Sequence, residues 1–297
     1  MDNSRLDRVK GYAAGIAAGV TYGFNPLFAK PLMSHGVHTS SMLLFRYAIA
    51  MALMGIWMRL KGESLSLTRR QIPIIILLGV LFSLSSITLF EAYNYIPSGL
   101  ATTIVYLYPG FTALTMTLIG KLPPWQVWVS IAVTLLGVCL LCIPSEAFEV
   151  RIAGVILSSL SALVYALYLV LVNTSKRASQ VSAHAITFYA LVTGSVMFLA
   201  FHLYEGGGIL DGVTTALDVS CLIGLAIFPT IISLLGLAIS TRKIGPTRTS
   251  VLGAFEPVTA ILIGTVIFSE PFTVNIAVGV FLCIAAILFM IRYGDSR

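Results

Sequence analysis

Two prolines set inside apolar stretches, in Tyr108-Pro109 and Glu256-Pro257, lie 148 positions apart. The same offset superposes Ile96 on Ile244, Leu114 on Leu262, Thr117 on Thr265, Ile119 on Ile267, Pro123 on Pro271, Leu140 on Leu288 and Ile143 on Ile291. An offset of 143 pairs Gly11 with Gly154, Tyr22 with Tyr165 and Phe45 with Phe188, so short loop changes absorb the five-residue difference. The chain therefore reads as two copies of a five-segment unit, residues 1–143 and 151–292. If each segment crosses a bilayer, an odd number of crossings turns the two units opposite ways, which is the build of a carrier.

Composition names the solvent. A chain that is 58% hydrophobic and 10% charged, with mean hydropathy +0.96, cannot fold as a water-soluble body. A helix needs about 20 apolar residues to cross the hydrocarbon. Ten such stretches read at 11–33, 39–60, 71–95, 98–119, 124–143, 151–174, 182–204, 216–241, 246–268 and 272–292. The alternation of a membrane barrel strand is missing, so the expected fold is an all-α polytopic membrane protein of ten transmembrane helices in two inverted five-helix repeats. The longest polar intervals, 59–71 and 204–218, are too short for a further domain.

Charge placement sets the orientation, because Lys and Arg near short loops gather on the cytoplasmic side. With the amino terminus inside, 15 basic residues fall on the inner face: Arg5, Arg8, Lys10, Arg59, Lys61, Arg69, Arg70, Lys121, Lys176, Arg177, Arg242, Lys243, Arg248, Arg292 and Arg297. Lys30 and Arg151 fall outside, and Arg46 lies within a helix. Both termini are expected in the cytoplasm, in the cell's inner membrane. The net charge of +6 then reflects topology and anionic inner-leaflet lipid, not nucleic acid. The first apolar stretch is too long for a cleavable signal and lacks a cleavage site, so it reads as the first crossing.

Catalytic and metal motifs are absent: no G-x-S-x-G, no H-E-x-x-H, no nucleotide-phosphate loop, no paired aspartates. No cofactor and no enzyme activity is expected. Cys139, Cys142, Cys221 and Cys283 all fall in apolar spans, where small buried hydrophobes are the expected reading. His35, His38, His184 and His202 fall at expected helix ends on the outer side, without metal spacing.

Gly11, Gly15, Gly19 and Gly23 make a stripe along one face of the first helix, fit for close packing or for sliding. Pro26, Pro109 and Pro257 are the expected kinks, and Pro229 lies in the eighth span. Ionisable groups in lipid point to function. Glu256 is expected near mid-depth, either as a proton-coupling group or as a partner for backbone freed by Pro257. Arg46 and Glu91, similar in depth and opposite in sign, are expected to pair, or to bind the two ends of a zwitterion. Hydroxyls and aromatics on the central helices complete the candidate cavity: Tyr22, Asn25, Ser86, Thr103, Tyr106, Tyr108, Tyr165 and Tyr168. Packing with a buried hydroxyl bond is the alternative for each.

The run from Phe90 through Glu91-Ala-Tyr-Asn-Tyr-Ile-Pro-Ser-Gly to Tyr108-Pro109, and the run Gly245-Pro-Thr-Arg-Thr-Ser-Val-Leu-Gly-Ala-Phe-Glu-Pro257 with Phe268-Ser-Glu-Pro271, resemble the two EamA repeats of the drug/metabolite transporter superfamily. The resemblance implies ten helices in inverted repeats, cytoplasmic termini and a central cavity, in carriers that commonly export amino acids or other metabolites. Two departures stand out: Tyr108 occupies a position where the repeat usually shows Glu, and Gly120-Lys121-Leu122-Pro123 replaces an L-G-E-like turn. The expected function is secondary export of a small metabolite by alternating access, with the bilayer, a small molecule and a proton as partners and a monomer or weak homodimer as the unit. Uptake of a vitamin, sugar or nucleotide precursor, or a membrane-embedded enzyme on lipid-linked substrates, are the alternatives.

Overall fold

A computed structural model describes residues 3–92, 95–96, 101, 104–141, 151–206, 208–267 and 273–293. All regular structure among them is helical. In chain order the α-helices are α1 (Asn3–Tyr22), α2 (Asn25–Ser34), α3 (Thr39–Lys61), α4 (Ile72–Ala92), α5 (Tyr108–Leu118), α6 (Trp125–Leu141) and α7 (Ile152–Thr174). They continue as α8 (Ala183–Glu205), α9 (Ala216–Ala226), α10 (Ser233–Ile244), α11 (Pro246–Leu252), α12 (Phe255–Ile267) and α13 (Val274–Tyr293). A π-helical turn, Ile227–Ile232, joins α9 to α10 without interrupting the span.

Among the described residues, seven helical stretches are long and apolar enough to cross a membrane, and Trp125–Leu140 is a shorter apolar helix. The first expected span is divided: α1 ends at Tyr22, Gly23 and Phe24 form a turn, and α2 restarts at Asn25. The expected span 98–119 is described as α5 with the short helical stretch 104–105 ahead of it.

Proline explains where the helices break. Its ring cannot donate to the carbonyl four residues back, but in a first turn that donor is not needed. Pro26, Pro109 and Pro257 each sit in the opening turn of a half-helix, α2, α5 and α12. The chain turns just ahead of each, at Gly23–Phe24, Tyr106–Leu107 and Gly253–Ala254. Pro229 takes another course: the carbonyl of Leu225, which it cannot reach, accepts from the Thr230 hydroxyl at 2.7 Å inside the π-turn.

Large apolar side chains face outward, among them Leu118, Val266, Val274 and Phe281, each at least 70% exposed. Hydroxyls face inward: Ser40, Ser41, Ser83, Thr112, Ser158, Ser161 and Thr187 are all buried. That is the arrangement lipid demands, since an apolar exterior costs nothing there and a hydroxyl facing hydrocarbon would cost free energy. Cys221 and Cys283 are buried, Cys139 faces out of the bundle, and Cys142 lies outside the described residues.

The two chain halves interleave. Helix α1 packs on α10, α2 on α9, α3 on α8, α4 on α7 and α8, α5 on α7 and α11, and α6 on α13. The glycine stripe makes the first of these contacts. A Cβ at Gly15 would stand 2.7 Å from the Ser240 hydroxyl, one at Gly19 2.9 Å from the Leu252 carbonyl, and one at Gly23 2.6 Å from the Glu256 carbonyl. Only a residue without a Cβ lets α1 come this near α10–α12.

Histidine placement differs from expectation at two positions. His184 contacts Glu63 at 3.3 Å and packs edge-on against Trp57, so it belongs at the end bearing Lys61, not at the opposite one. His184 opens a helix that runs the other way from α3, and its neighbour in space is therefore the end of α3. His202 is no loop residue: it is 1% exposed, and its Nδ1 lies 3.1 Å from the Ser40 hydroxyl, joining the end of α8 to the start of α3.

Candidate functional site

The half-helix junctions α1–α2, Tyr106–Tyr108 and α11–α12, with parts of α3, α4, α7 and α9, surround a cavity of about 290 Å³. Its wall includes Tyr22, Asn25, Pro26, Arg46, Phe82, Ser86, Tyr106, Tyr108, Tyr165 and Glu256. Lys30 and Met33, both exposed, line it as well, so it opens at the end of the bundle where α2 finishes.

Arg46 is the best-held charge in the wall. Its Nε donates to the Thr230 hydroxyl at 2.5 Å, Nη1 to Asn25 Oδ1 at 3.0 Å, and Nη2 to the Pro229 carbonyl at 2.8 Å. The guanidinium also lies 5.5 Å from the Tyr22 ring centroid, within cation–π range. Asn25 is itself fixed, donating to the Tyr22 carbonyl at 2.9 Å across the α1–α2 turn. Three of five guanidinium N–H groups are thus engaged, and the planar fork is oriented before any ligand arrives.

The expected pairing of Arg46 with Glu91 is not formed: among the described residues no ion pair joins them. Arg46 turns instead to the polar groups that the π-turn exposes. Glu91 lies in the last turn of α4, apart from the cavity wall.

The opposite end of the cavity is closed by tyrosine. Where the helix breaks before Pro257, the carbonyls of Ser250 and Gly253 accept from the N–H groups three residues on, Gly253 at 3.2 Å and Glu256 at 2.9 Å, and each can accept a second bond. Tyr108 Oη donates to Ser250 at 2.9 Å, and Tyr106 Oη to Gly253 at 3.4 Å. Beyond this pair Asn173 donates to the Thr241 carbonyl at 2.9 Å, and Arg242 donates to the carbonyls of Ala178 and Val181. Tyr165 packs edge-on against Tyr108 with centroids 4.8 Å apart, and Tyr168 stacks behind Tyr165 at 6.3 Å.

Eight of the eleven candidate residues are therefore brought together in the wall, among them Ser86, whose hydroxyl donates to the Phe82 carbonyl at 3.3 Å. Counted strictly by position, Tyr22, Asn25, Arg46, Ser86, Tyr106, Tyr108, Tyr165 and Glu256 line the cavity, while Tyr168 is buried behind it and Glu91 lies apart. Thr103, with Thr102, Tyr93 and Asn94, lies outside the described residues. Sequence reasoning missed Thr230, Phe82 and the Ser85–Ser161 pair. Ser85 and Ser161 exchange bonds across α4 and α7, with Ser161 Oγ donating to the Ser85 carbonyl at 2.7 Å and the two hydroxyls 3.0 Å apart. A hydroxyl directly after a mid-span proline was the available signal for Thr230; for the serines there was none, since each meets its partner only across the bundle.

The model of the EamA-like transporter family matches residues 9–143 and again residues 152–292. An uncharacterised transporter of Archaeoglobus fulgidus is 27% identical over 202 residues, covering 67% of this chain and 69% of that protein. An uncharacterised transporter of Synechocystis sp. is 28% identical over 201 residues, 66% of this chain and 59% of that one, so the match spans about three fifths of that relative. A solved crystal structure superposes with TM-score 0.79 over 94% of this chain and 96% of its own, at 17% identity, a likeness of fold. With both halves matched, the chain belongs to the EamA-like transporter family and is an integral membrane transporter.

Proposed function

We propose that the protein is a secondary exporter of a small amphipathic metabolite, an amino acid or a close analogue, working by alternating access in the cell's inner membrane. The observation that carries the reading is the cavity wall, in which a pre-oriented Arg46 and the single acid Glu256 share one chamber with aromatic faces. Such a wall matches a ligand with a carboxylate, an amine and an apolar side chain. The half-helix α2 also begins at wall residue Asn25, wall residue Glu256 stands second in α12, and helix N-termini favour negative charge.

Ten helices in two inverted repeats, with both termini cytoplasmic, is the proposed frame. Support comes from the packing pattern. Exchanging each element for its counterpart 143–148 residues on turns α1 on α10 into α7 on α4, α5 on α7 into α12 on α1, and α4 on α8 into α9 on α3; all six contacts occur. The α3–α8 and α6–α13 contacts map onto themselves. The proposed cycle opens the tyrosine-closed end while the Lys30 end shuts, so the present cavity represents the outward-open state. Glu256 is the proposed proton-coupling group, and one chain the proposed transporting unit.

Uptake of labelled amino acids into proteoliposomes, with and without a proton gradient, tests the reading. Saturable uptake of one amino acid, lost in Arg46→Gln protein that still melts cooperatively, is the expected result. Silence across a broad amino-acid panel would sink it.

A further inference from the structure

A second cavity, of about 230 Å³, lies at the closed end of the bundle, away from the transport chamber. It is bounded on one side by the turn from α5 to α6 and on the other by the turn from α10 to α11, so both chain halves contribute. Among the described residues that line it, Lys121 and Arg248 are cationic and none is acidic. Lys121 belongs to the Gly120-Lys121-Leu122-Pro123 run in which this chain departs from the repeat it otherwise resembles.

The cations stand on stiff backbone. The α5 helix ends with Gly120 at φ 79°, its N–H on the Thr117 carbonyl at 2.9 Å, and the Lys121 N–H on Met116 at 2.9 Å. Pro123 and Pro124 restrict the next residues, and Pro246 follows Gly245, at φ 87°, on the facing turn. The remaining surface beside Lys121 is greasy: Leu118 is 78% exposed, Leu122 72% and Trp125 61%. Two cations, an apolar surface alongside and an indole between them suit the edge of a bilayer leaflet, where anionic headgroups meet hydrocarbon.

We infer that this cavity binds the phosphate of one anionic phospholipid of the inner leaflet through Lys121 and Arg248, with the acyl chains lying along Leu118, Leu122 and Trp125. The inference rests on the orientation proposed above. A lipid held there spans the α5–α6 and α10–α11 turns, on either side of the Tyr108–Ser250 contact, and so favours the state in which that end is shut.

Native mass spectrometry of the full-length protein in detergent, titrated with phosphatidylglycerol or phosphatidylcholine, tests the site directly and needs no transport substrate. Wild-type protein is expected to retain one phosphatidylglycerol in preference to phosphatidylcholine. Lys121→Gln, in an exposed turn, should weaken retention about fivefold, and Lys121→Gln with Arg248→Gln about twenty-fivefold. Arg69→Gln with Arg70→Gln, an equal change of charge at the same end, should leave it unaltered. Undiminished binding in Lys121→Gln, an equal loss in the Arg69/Arg70 control, or displacement of the lipid by millimolar inorganic phosphate would each overturn the inference. If a Lys121→Cys variant is labelled from the outer face, the proposed orientation fails as well; if only lipid retention fails, the transport reading stands.

Discussion

The Tyr108 phenol donates a 2.9 Å hydrogen bond to the carbonyl of Ser250, and a Cβ added at Gly253 would collide with that same hydroxyl. One aromatic side chain from the first half thus caps the break in a helix of the second. The phenol shares the Ser250 carbonyl with the Gly253 N–H, which donates to it at 3.2 Å, and the missing side chain at Gly253 makes the room.

Tyr108→Phe is expected to remove a bond worth about 1 kcal/mol and so open the tyrosine-closed end about fivefold more often. The rate at which a cysteine at Thr247 reacts with a membrane-impermeant maleimide measures this, and an unchanged rate would refute it. Gly253→Ala should do the same by collision. The two changes together should fall short of the sum, because each removes the other's target.

Arg46→Lys keeps the charge and loses the fork. A single ammonium cannot serve Asn25, Thr230 and the Pro229 carbonyl in their present geometry. Substrate binding is expected to fall at least tenfold by the differential-affinity scale of such contacts, about 1.4 kcal/mol. Thr230→Val should cost about 1–3 kcal/mol by orphaning the Leu225 carbonyl, read as a lower melting temperature in detergent.

Gly23→Ala should separate α1 from α12, since the new methyl would meet Thr259 Cβ and the Glu256 carbonyl, each at 2.6 Å. A loss of about 1–3 kcal/mol is expected. Gly110→Ala is the control: nothing lies within 4 Å of its Cβ position, it sits inside α5, and helix propensity there favours Ala by up to about 1 kcal/mol. Thermal melts that rank the two variants the other way would contradict the packing described here.

Glu256→Gln should leave folding intact and make transport indifferent to a pH gradient, measured as counterflow in proteoliposomes with and without an imposed gradient. A variant whose gradient response matches wild type removes Glu256 from any coupling role.

At the amino terminus the Lys243 ammonium lies 2.5 Å from Asp7 and holds its carboxyl below the ordinary value of 3.8. A depressed carboxyl stabilises the fold above its unfolded value and loses that contribution as pH falls through the lowered folded value. Asp7→Asn should therefore differ from wild type at neutral pH and converge with it in acid. The pair is exposed, so the difference in melting temperature should be small and should vanish in high salt.

Much of the site was readable because its physics is local. Pro26, Pro109 and Pro257 break helices by geometry carried within a few residues, and a polar side chain in an apolar run has to face inward. Tyr22, Asn25 and Arg46 were legible for that reason. The partners of Arg46 were not: Thr230 and Pro229 stand 184 and 183 positions away, and nothing in the spacing of Arg46 and Glu91 distinguishes that choice from the pairing of opposite charges. His184 needed no tertiary information: it opens the span that follows Lys176 and Arg177, so the same charge rule places it at their end, where it meets Glu63.

From the amino-acid order alone came the solvent, the helical class and the positions at which helices must yield, because hydrophobic length, backbone satisfaction and the missing proline N–H act along the chain. Tertiary structure alone decided which end of the cavity is shut, which groups hold Arg46, and which turns share the second pocket. Those depend on how interleaved helices meet across the bundle, where contact energies are summed over residues that sequence leaves far apart.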